Sequence, residues 1–273
     1  MVPYIYSKSN YKLFLHRELA ELSKEVKAIV CAMDIFPNII RPIPIKAPFG
    51  KSALVIAPHQ DDEIIGCGGA MVLHRKTGND LHVVFIQDGG DEHEEDGLSR
   101  DELIHIRESE ALKVSEELGM PAPIFLRYPK LVDNIIKEIA ISLEEIILTK
   151  KIDVIFAPFF FDYNKDHRVT AVALAEAISN MQQKPKILNY EVWGLCIPNV
   201  VVNIDSVIEN KIRLLSYYVS QLSGTDYINC TIGLNMYHSK TFGAGECKYA
   251  ERFFEIPGED YVQVIDKIRF NQG

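Results

Sequence analysis

The stretch ALVIAPHQDDE, residues 53–63, decides the fold of this 273-residue chain. Its first five residues form an uninterrupted apolar run, which is typical of a strand buried on both faces of a parallel sheet. The run ends in one histidine and three carboxylates, at the point where a helix is predicted to begin. The reactive side chains are therefore expected beyond the carboxyl end of a buried strand.

The same alternation of strands and helices continues along the chain. Helices are predicted over 64–78, 100–118, 133–150 and 168–181, and further strands at HVVFIQDG (82–89) and DVIFAP (153–158). Such an order implies crossover connections and a mostly parallel sheet with helices on both faces. The sequence thus predicts an α/β, Rossmann-like fold.

We predict one domain in three parts. Residues 1–50 hold an amphipathic helix (10–33) and a proline-containing connection, and residues 51–185 form the catalytic α/β core. In residues 186–273, the short β-like runs ILNYEVW, NVVVNI and ERFFEI and a helix near 206–220 predict a smaller mixed C-terminal lobe. We expect this lobe to complete the substrate cleft.

Charge and cysteine usage limit the partners. The net charge of −9 and the pI near 5.4 provide no basic stripe for nucleic acid or for an anionic membrane. Five cysteines without a C-x-x-C pair argue against a disulfide framework. No secretory signal and no apolar run of membrane-spanning length are recognised, so a cytoplasmic protein is expected. A homo-oligomer is compatible with these features.

Two strand ends supply candidate metal ligands. His59 and Asp62 follow the first strand, and His167 follows DVIFAP in the segment FFFDYNKDHR, so both sets are expected at the same sheet edge. Imidazole and carboxylate suit zinc, which in catalytic sites takes three protein ligands. Acidic residues here could instead cap a helix, but capping needs one carboxylate and leaves Asp61 without a role.

These motifs resemble the PIG-L/LmbE family of zinc-dependent N-acetylglucosaminyl deacetylases, whose signature is A-H-P-D-D-E followed by H-x-D-H or a similar motif. The likeness spans about 53–175, includes the run Arg107-Glu108-Ser109-Glu110-Ala111 before Leu118-Gly119, and has a weaker echo in CKYAERF (247–253). It implies a small N-acetylated sugar or sugar conjugate as substrate. It also implies zinc or another divalent metal on His59, Asp62 and His167.

The resemblance places the catalytic carboxylate at Asp61, which would accept a proton from water while zinc polarises the acetamide carbonyl. Gln60 stands where the family often has proline. Asn164 stands where many relatives have a histidine, and asparagine can donate a hydrogen bond to an oxyanion but cannot deliver a proton. The general acid therefore has two candidates, Asp61 first and His238 second.

Supporting roles have structural alternatives. Asp166 would orient a ligand histidine or cap a helix. Arg107 would face substrate, as the resemblance implies, or pair with Glu108 or Glu110 on the helix surface. Two other functions remain open, a metal-dependent phosphoesterase and a non-catalytic Rossmann-like module that binds sugar or metal.

Several weaker signals favour structural roles. The glycines of GCGG (66–69) lack dinucleotide-binding spacing, which favours close packing of the helix on the sheet. Cys67 is expected to be a buried thiol rather than a nucleophile. The acidic run 91–96 is expected to be a solvated loop. The aromatics Trp193, Tyr217 and Tyr218 would either stack on sugar rings or fill the core.

Overall fold

One mixed sheet of eight strands organises the protein. The computed structural model describes residues 42–90, 98–194, 196–222, 224–241 and 247–269. The strands are β1 (Ile43–Ile45), β2 (Ser52–Ala57), β3 (Asp80–Gln87), β4 (Ile124–Tyr128), β5 (Val154–Pro158), β6 (Lys186–Tyr190), β7 (Val200–Asn203) and β8 (Ala250–Ile256). Across the sheet they lie in the order β1-β7-β8-β6-β5-β2-β3-β4. Every neighbouring pair is parallel except the two that β8 makes with β6 and β7, which confirms the mostly parallel sheet.

Eight helices are found in the described segments. They are α1 (Asp62–Lys76), α2 (Arg100–Glu117), α3 (Ile136–Lys150), α4 (Lys165–Ser179), α5 (Ile208–Leu215), α6 (Val219–Leu222), α7 (Tyr227–Thr241) and α8 (Gly258–Arg269). The four helices predicted in the core are confirmed as α1 to α4. None of these eight helices combines the length and the apolar character needed to cross a membrane.

Both faces of the sheet are covered, as predicted. Strand β2 alternates its side chains between two apolar clusters: Leu54 and Ile56 pack with α3, α4 and α8, whereas Val55 packs with α1, α2 and α5. This alternation follows from the two-residue repeat of a strand. Because β2 is buried on both faces, its carboxyl end is held firmly beneath the polar turn that follows.

Helix α1 bends at Cys67, whose φ of −141° is not helical. Beyond the bend, the backbone N–H groups of Gly69 and Ala70 donate to the two carboxylate oxygens of Glu251, each at 2.7 Å. Lys211 Nζ lies 2.6 Å from the same carboxylate, and both side chains are buried. A buried ion pair from the last third of the chain therefore caps the second half of α1.

The glycine-rich start of α1 packs directly on β6. A Cβ atom added at Gly66 would lie 2.2 Å from the ring of Tyr190, so only glycine allows this approach. The Cys67 thiol is buried, and burial raises its pKa well above the usual value. Both observations agree with the structural roles expected for this segment.

The last third of the chain extends the same sheet through β6, β7 and β8. Sequence reasoning missed β1, β4, α7 and α8, although Tyr261, Val264 and Ile265 give α8 a buried face at helical spacing. Strand β4 is only half-buried at the sheet edge, and Arg127 interrupts it with a φ of 57°, so no regular alternation forms. The predicted N-terminal helix (10–33) and the acidic run 91–96 lie outside the described residues, and the division into core and cleft lobe stays a prediction.

Candidate metal centre and active site

The candidate site lies where the strand order reverses. Strands β2 and β5 are neighbours, and the sheet continues from β2 to β3 and β4 on one side and from β5 to β6 on the other. In open α/β sheets the crevice at such a point, beyond the carboxyl ends of the strands, is where ligands bind. His59 follows β2 and His167 lies in the first turn of α4, so the structure brings the two polar segments together.

His59, Asp62 and His167 form a compact buried cluster. Asp62 Oδ2 lies 3.1 Å from His59 Nδ1 and 3.2 Å from His167 Nε2. Each residue offers one ligand atom, and these atoms all lie within 4.8 Å of one another. Two imidazoles and one carboxylate at this separation match the donor set of a catalytic zinc site.

His167 provides an independent test of whether a metal fits. The residue is fully buried, yet neither ring nitrogen makes a hydrogen bond of normal geometry with the described residues. Its Nδ1 lies 3.3 Å from Asp162 Oδ2, on the side opposite Asp62. Buried polar atoms are rarely left without a partner, so a cation at Nε2 would satisfy this ring while Asp162 holds its other nitrogen.

The charges of the cluster are strongly coupled. Burial lowers the pKa of His59, but the carboxylates of Asp166 and Asp62 outweigh burial and raise it to about 10. Burial also lowers the pKa of His167, but the carboxylates of Asp62 and Asp162 outweigh burial and raise it to about 9. Burial would raise the pKa of Asp62, but both histidines hold it far below its usual value. Because metal ligands must lose their protons, a divalent cation would compete with protons for this cluster.

Asp61 lies beside the cluster in a strained backbone conformation. Its φ of 131° and ψ of −29° fall in a region that side-chain-bearing residues rarely adopt. The side chain is buried and makes no hydrogen bond that would cap α1. Helix capping, the structural alternative considered from the sequence, is therefore not the role of Asp61. Burial and the neighbouring Asp62 raise the pKa of Asp61, and Arg107 opposes that rise.

Glu63 fixes the turn around Asp61. The backbone N–H of Asp61 donates to Glu63 Oε2 at 3.1 Å, and the Tyr218 hydroxyl donates to Glu63 Oε1. Burial raises the pKa of Glu63 to about 7, although the bond from Tyr218 opposes the rise. Tyr218 is therefore a core residue that braces the site, and sequence reasoning missed this role because the partners lie 155 positions apart.

Arg107 enters the pocket from α2. Its guanidinium is buried and donates to the carbonyl oxygens of Gln60 at 3.1 Å and Gly89 at 3.5 Å. The alternative considered from the sequence, an ion pair of Arg107 with Glu108 or Glu110, is not among the contacts described for Arg107. Glu108 pairs with Arg127 and Glu110 accepts hydrogen bonds from Ser220.

The other candidates occupy different places. Asn164 is the N-cap of α4, with its side-chain oxygen accepting from the N–H of Asp166 at 2.8 Å. Asp166 Oδ2 lies 3.3 Å from His59 Nε2, the nitrogen opposite Asp62, which is the geometry an orienting residue requires. His238 is buried on α7, 3.1 Å from Glu191, and does not line the pocket.

One pocket joins these groups. It is lined by His59, Asp61, Asp62, Ile65, Arg107, Asn164, Val192, Trp193, Gln221 and Tyr227. The last four of these residues come from the final third of the chain. Sequence reasoning did not single out Asp162, although its place in the polar run before His167 was a usable signal.

The α/β core of the chain matches a model of a known protein family. Residues 54–178 match the family model described as PIG-L: GlcNAc-PI de-N-acetylase. This segment runs from β2 through α4, and it contains His59, Asp61, Asp62 and His167.

Several solved structures share the fold. An N,N'-diacetylchitobiose deacetylase from Pyrococcus horikoshii superimposes with a TM-score of 0.70 at 23% identity, covering 93% of this chain and 95% of its own. A 4-carboxy-2-hydroxymuconate hydratase from Pseudomonas putida KT2440 superimposes with a TM-score of 0.64 at 21% identity, covering 76% of this chain and 96% of its own. A deacetylase of the antimicrobial A40926 pseudoaglycone superimposes with a TM-score of 0.63 at 18% identity, covering 76% of this chain and 98% of its own. These likenesses establish the fold, and the family-model match over residues 54–178 agrees with the resemblance to the PIG-L family.

Proposed function

We propose that this protein is a zinc-dependent N-deacetylase that hydrolyses the acetamide of an N-acetylated amino sugar or its conjugate, giving a free amine and acetate. One observation carries the proposal. Asp61 is a buried carboxylate that caps nothing, in a pocket that also holds a three-residue metal-ligand cluster. A spare carboxylate beside a metal site is the requirement for activating water.

The comparisons support the same activity without deciding it. The matching family model describes a GlcNAc-PI de-N-acetylase, and two of the structures with this fold are deacetylases. A hydratase also has this fold, so the fold alone cannot choose the reaction. The choice of amide hydrolysis therefore depends on the site residues.

Zinc would be held by His59, Asp62 and His167. When bound, it would supply Lewis acidity that polarises the acetamide carbonyl and makes water a better nucleophile. Asp166 and Asp162 would keep the two imidazole rings in place, since each contacts the ring nitrogen on the side away from Asp62. Each candidate ligand histidine thus has a second carboxylate that would orient its ring.

Asp61 would carry the proton. Its carboxylate accepts a proton as water attacks the amide carbon, and the same oxygen returns that proton to the leaving amine nitrogen. We assign both steps to Asp61 rather than to His238, because His238 does not line the pocket. Asn164 and Arg107 line the pocket and carry N–H donors that can stabilise the oxyanion formed during the reaction.

The alternatives are weaker on the same observations. Among the described residues only one group has metal-ligand spacing, whereas a two-metal phosphoesterase needs carboxylates that bridge a second ion. A module that only binds sugar or metal has no use for a strained, buried Asp61.

The test is an assay of acetate and free amine released from a panel of N-acetylated sugars, with zinc content measured on the same samples. Asp61→Asn should keep its zinc and lose about 10²–10⁴-fold in kcat. Asp260→Asn is the matched control, because this exposed carboxylate in the first turn of α8 follows the antiparallel strand β8, whose carboxyl end lies at the opposite sheet edge.

Equimolar acetate and amine from the wild-type protein would support deacetylation. A zinc-loaded protein that releases neither product from any sugar would contradict it and favour the binding module. Phosphate release from a phosphoester panel in place of acetate would favour the phosphoesterase.

A further inference from the structure

Trp193 stands at the pocket mouth with much of its surface exposed. It is the chain's single tryptophan, it is 52% exposed, and it lines the same pocket as His59 and Asp61. Tryptophan is enriched at binding surfaces, because the indole ring combines a large apolar face with a polar N–H group. The structure thus separates Trp193 from Tyr218, which is fully buried.

The backbone around Trp193 is tied to the metal-ligand cluster. Asp162 Oδ2 accepts hydrogen bonds from the N–H groups of Trp193 and Gly194, each at 3.2 Å, and lies 3.3 Å from His167 Nδ1. The Gly194 backbone packs closely here, since an added Cβ would lie 3.1 Å from Asp162 Cα and from the Tyr163 nitrogen. One buried carboxylate therefore fixes the backbone that carries the indole relative to a candidate ligand.

Tyr227 completes an aromatic wall. Its ring lies 5.9 Å from that of Trp193 at an interplanar angle of 78°, an edge-to-face arrangement that holds the indole from the side. Two uncharged amide side chains, Gln221 and Asn164, line the same pocket. A pocket that holds both an exposed apolar face and amide groups matches a pyranose ring, which has an apolar C–H face and a rim of hydroxyl groups.

The geometry points to a second sugar subsite, in which Trp193, held by Tyr227, stacks on the ring next to the N-acetylated one. This inference rests on the proposed deacetylase function and specifies its substrate as an N-acetylated disaccharide or longer glycan. The acetamide is placed at the His59, Asp62 and His167 cluster, and the neighbouring ring is placed against the indole. A monosaccharide would occupy only the first position.

The kinetic test compares kcat/KM for N,N'-diacetylchitobiose and for the methyl glycoside of N-acetylglucosamine. Trp193→Ala should lower the disaccharide-to-monosaccharide ratio about tenfold, equivalent to about 1.4 kcal/mol, and Trp193→Phe should restore most of it. Tyr237→Ala is the matched control, because Tyr237 is similarly exposed, at 56%, but lies ten residues along α7 from Tyr227 and does not line the pocket.

A binding test separates this inference from the proposed function. The emission of Trp193 reports directly on the subsite, so the zinc-loaded Asp61→Asn variant is titrated with each sugar. Chitobiose should change the emission and bind about tenfold more tightly than the methyl glycoside, whether or not the wild-type protein turns over either sugar.

Three results would overturn the subsite. They are an equal loss of kcat/KM for both sugars in Trp193→Ala, emission that chitobiose leaves unchanged, and a preference for a phenyl glycoside of N-acetylglucosamine over chitobiose. The last would indicate an aromatic aglycone instead of a second sugar.

Discussion

Replacing Asp61 with glycine should make the protein more stable and nearly inactive. A residue with a side chain at φ 131° carries about 1–3 kcal/mol of backbone strain, which glycine does not. Glycine also gains about 0.4–1 kcal/mol of freedom in the unfolded chain, which offsets part of the benefit. Asp61→Ala loses the same carboxylate but keeps the strain, so Asp61→Gly should exceed it in stability by ~1–2 kcal/mol.

The assay is thermal unfolding with a chelator present, so that bound metal does not contribute to stability. For a chain of this size, the difference corresponds to a rise in Tm of roughly 2–4 °C. Lys151→Gly is a matched control, since Lys151 also has a positive φ, 53°, at the exposed carboxyl end of α3. It should gain stability without losing turnover, whereas both Asp61 variants should lose about 10²–10⁴-fold in kcat.

Two results would refute this reasoning. Equal stability of Asp61→Gly and Asp61→Ala would show that the backbone at this position is not strained. Near wild-type turnover in either variant would show that Asp61 does not carry the proton.

Three further predictions concern the contacts that support the site. Asp162→Asn should weaken zinc binding about 10–100-fold in a competition titration, because it loosens the ring of the candidate ligand His167 without removing a ligand. Unchanged zinc affinity would show that the contact between Asp162 and His167 does not support metal binding. Glu251→Ala should cost ~3–5 kcal/mol in denaturant unfolding, and Lys211→Met in that background should recover part of the loss by removing a buried ammonium; no recovery would argue against the pair. Gly66→Ala should destabilise by at least ~1–3 kcal/mol, since its Cβ would overlap the Tyr190 ring; a neutral effect would contradict the packing.

The meeting of the three candidate metal ligands could be anticipated because its signals are local. Apolar runs at 53–57 and 154–157 predict buried parallel strands, and parallel strands bring their carboxyl ends to one edge. The polar residues that follow each run therefore had to meet, and the structure places His59, Asp62 and His167 together. The function of that cluster stays a proposal, since the same fold also carries a hydratase.

The supporting contacts could not be anticipated because they join distant parts of the chain. The bond from Tyr218 to Glu63 and the one from Trp193 to Asp162 both depend on how the last third folds over the core. The two aromatic residues look alike in sequence, and only packing shows that one is buried and the other lines the pocket. Helix α7 also depends on tertiary contacts, since Gly233 and several β-branched residues weaken its intrinsic preference for a helix.

Zinc content per chain tests the central proposal most directly. After loading and removal of excess metal, the wild-type protein should retain about one zinc ion. His59→Ala and His167→Ala should retain little, whereas His82→Ala, on strand β3 and outside the pocket, should match the wild type. Full zinc occupancy in both ligand variants, or none in the wild type, would contradict the metal centre proposed here.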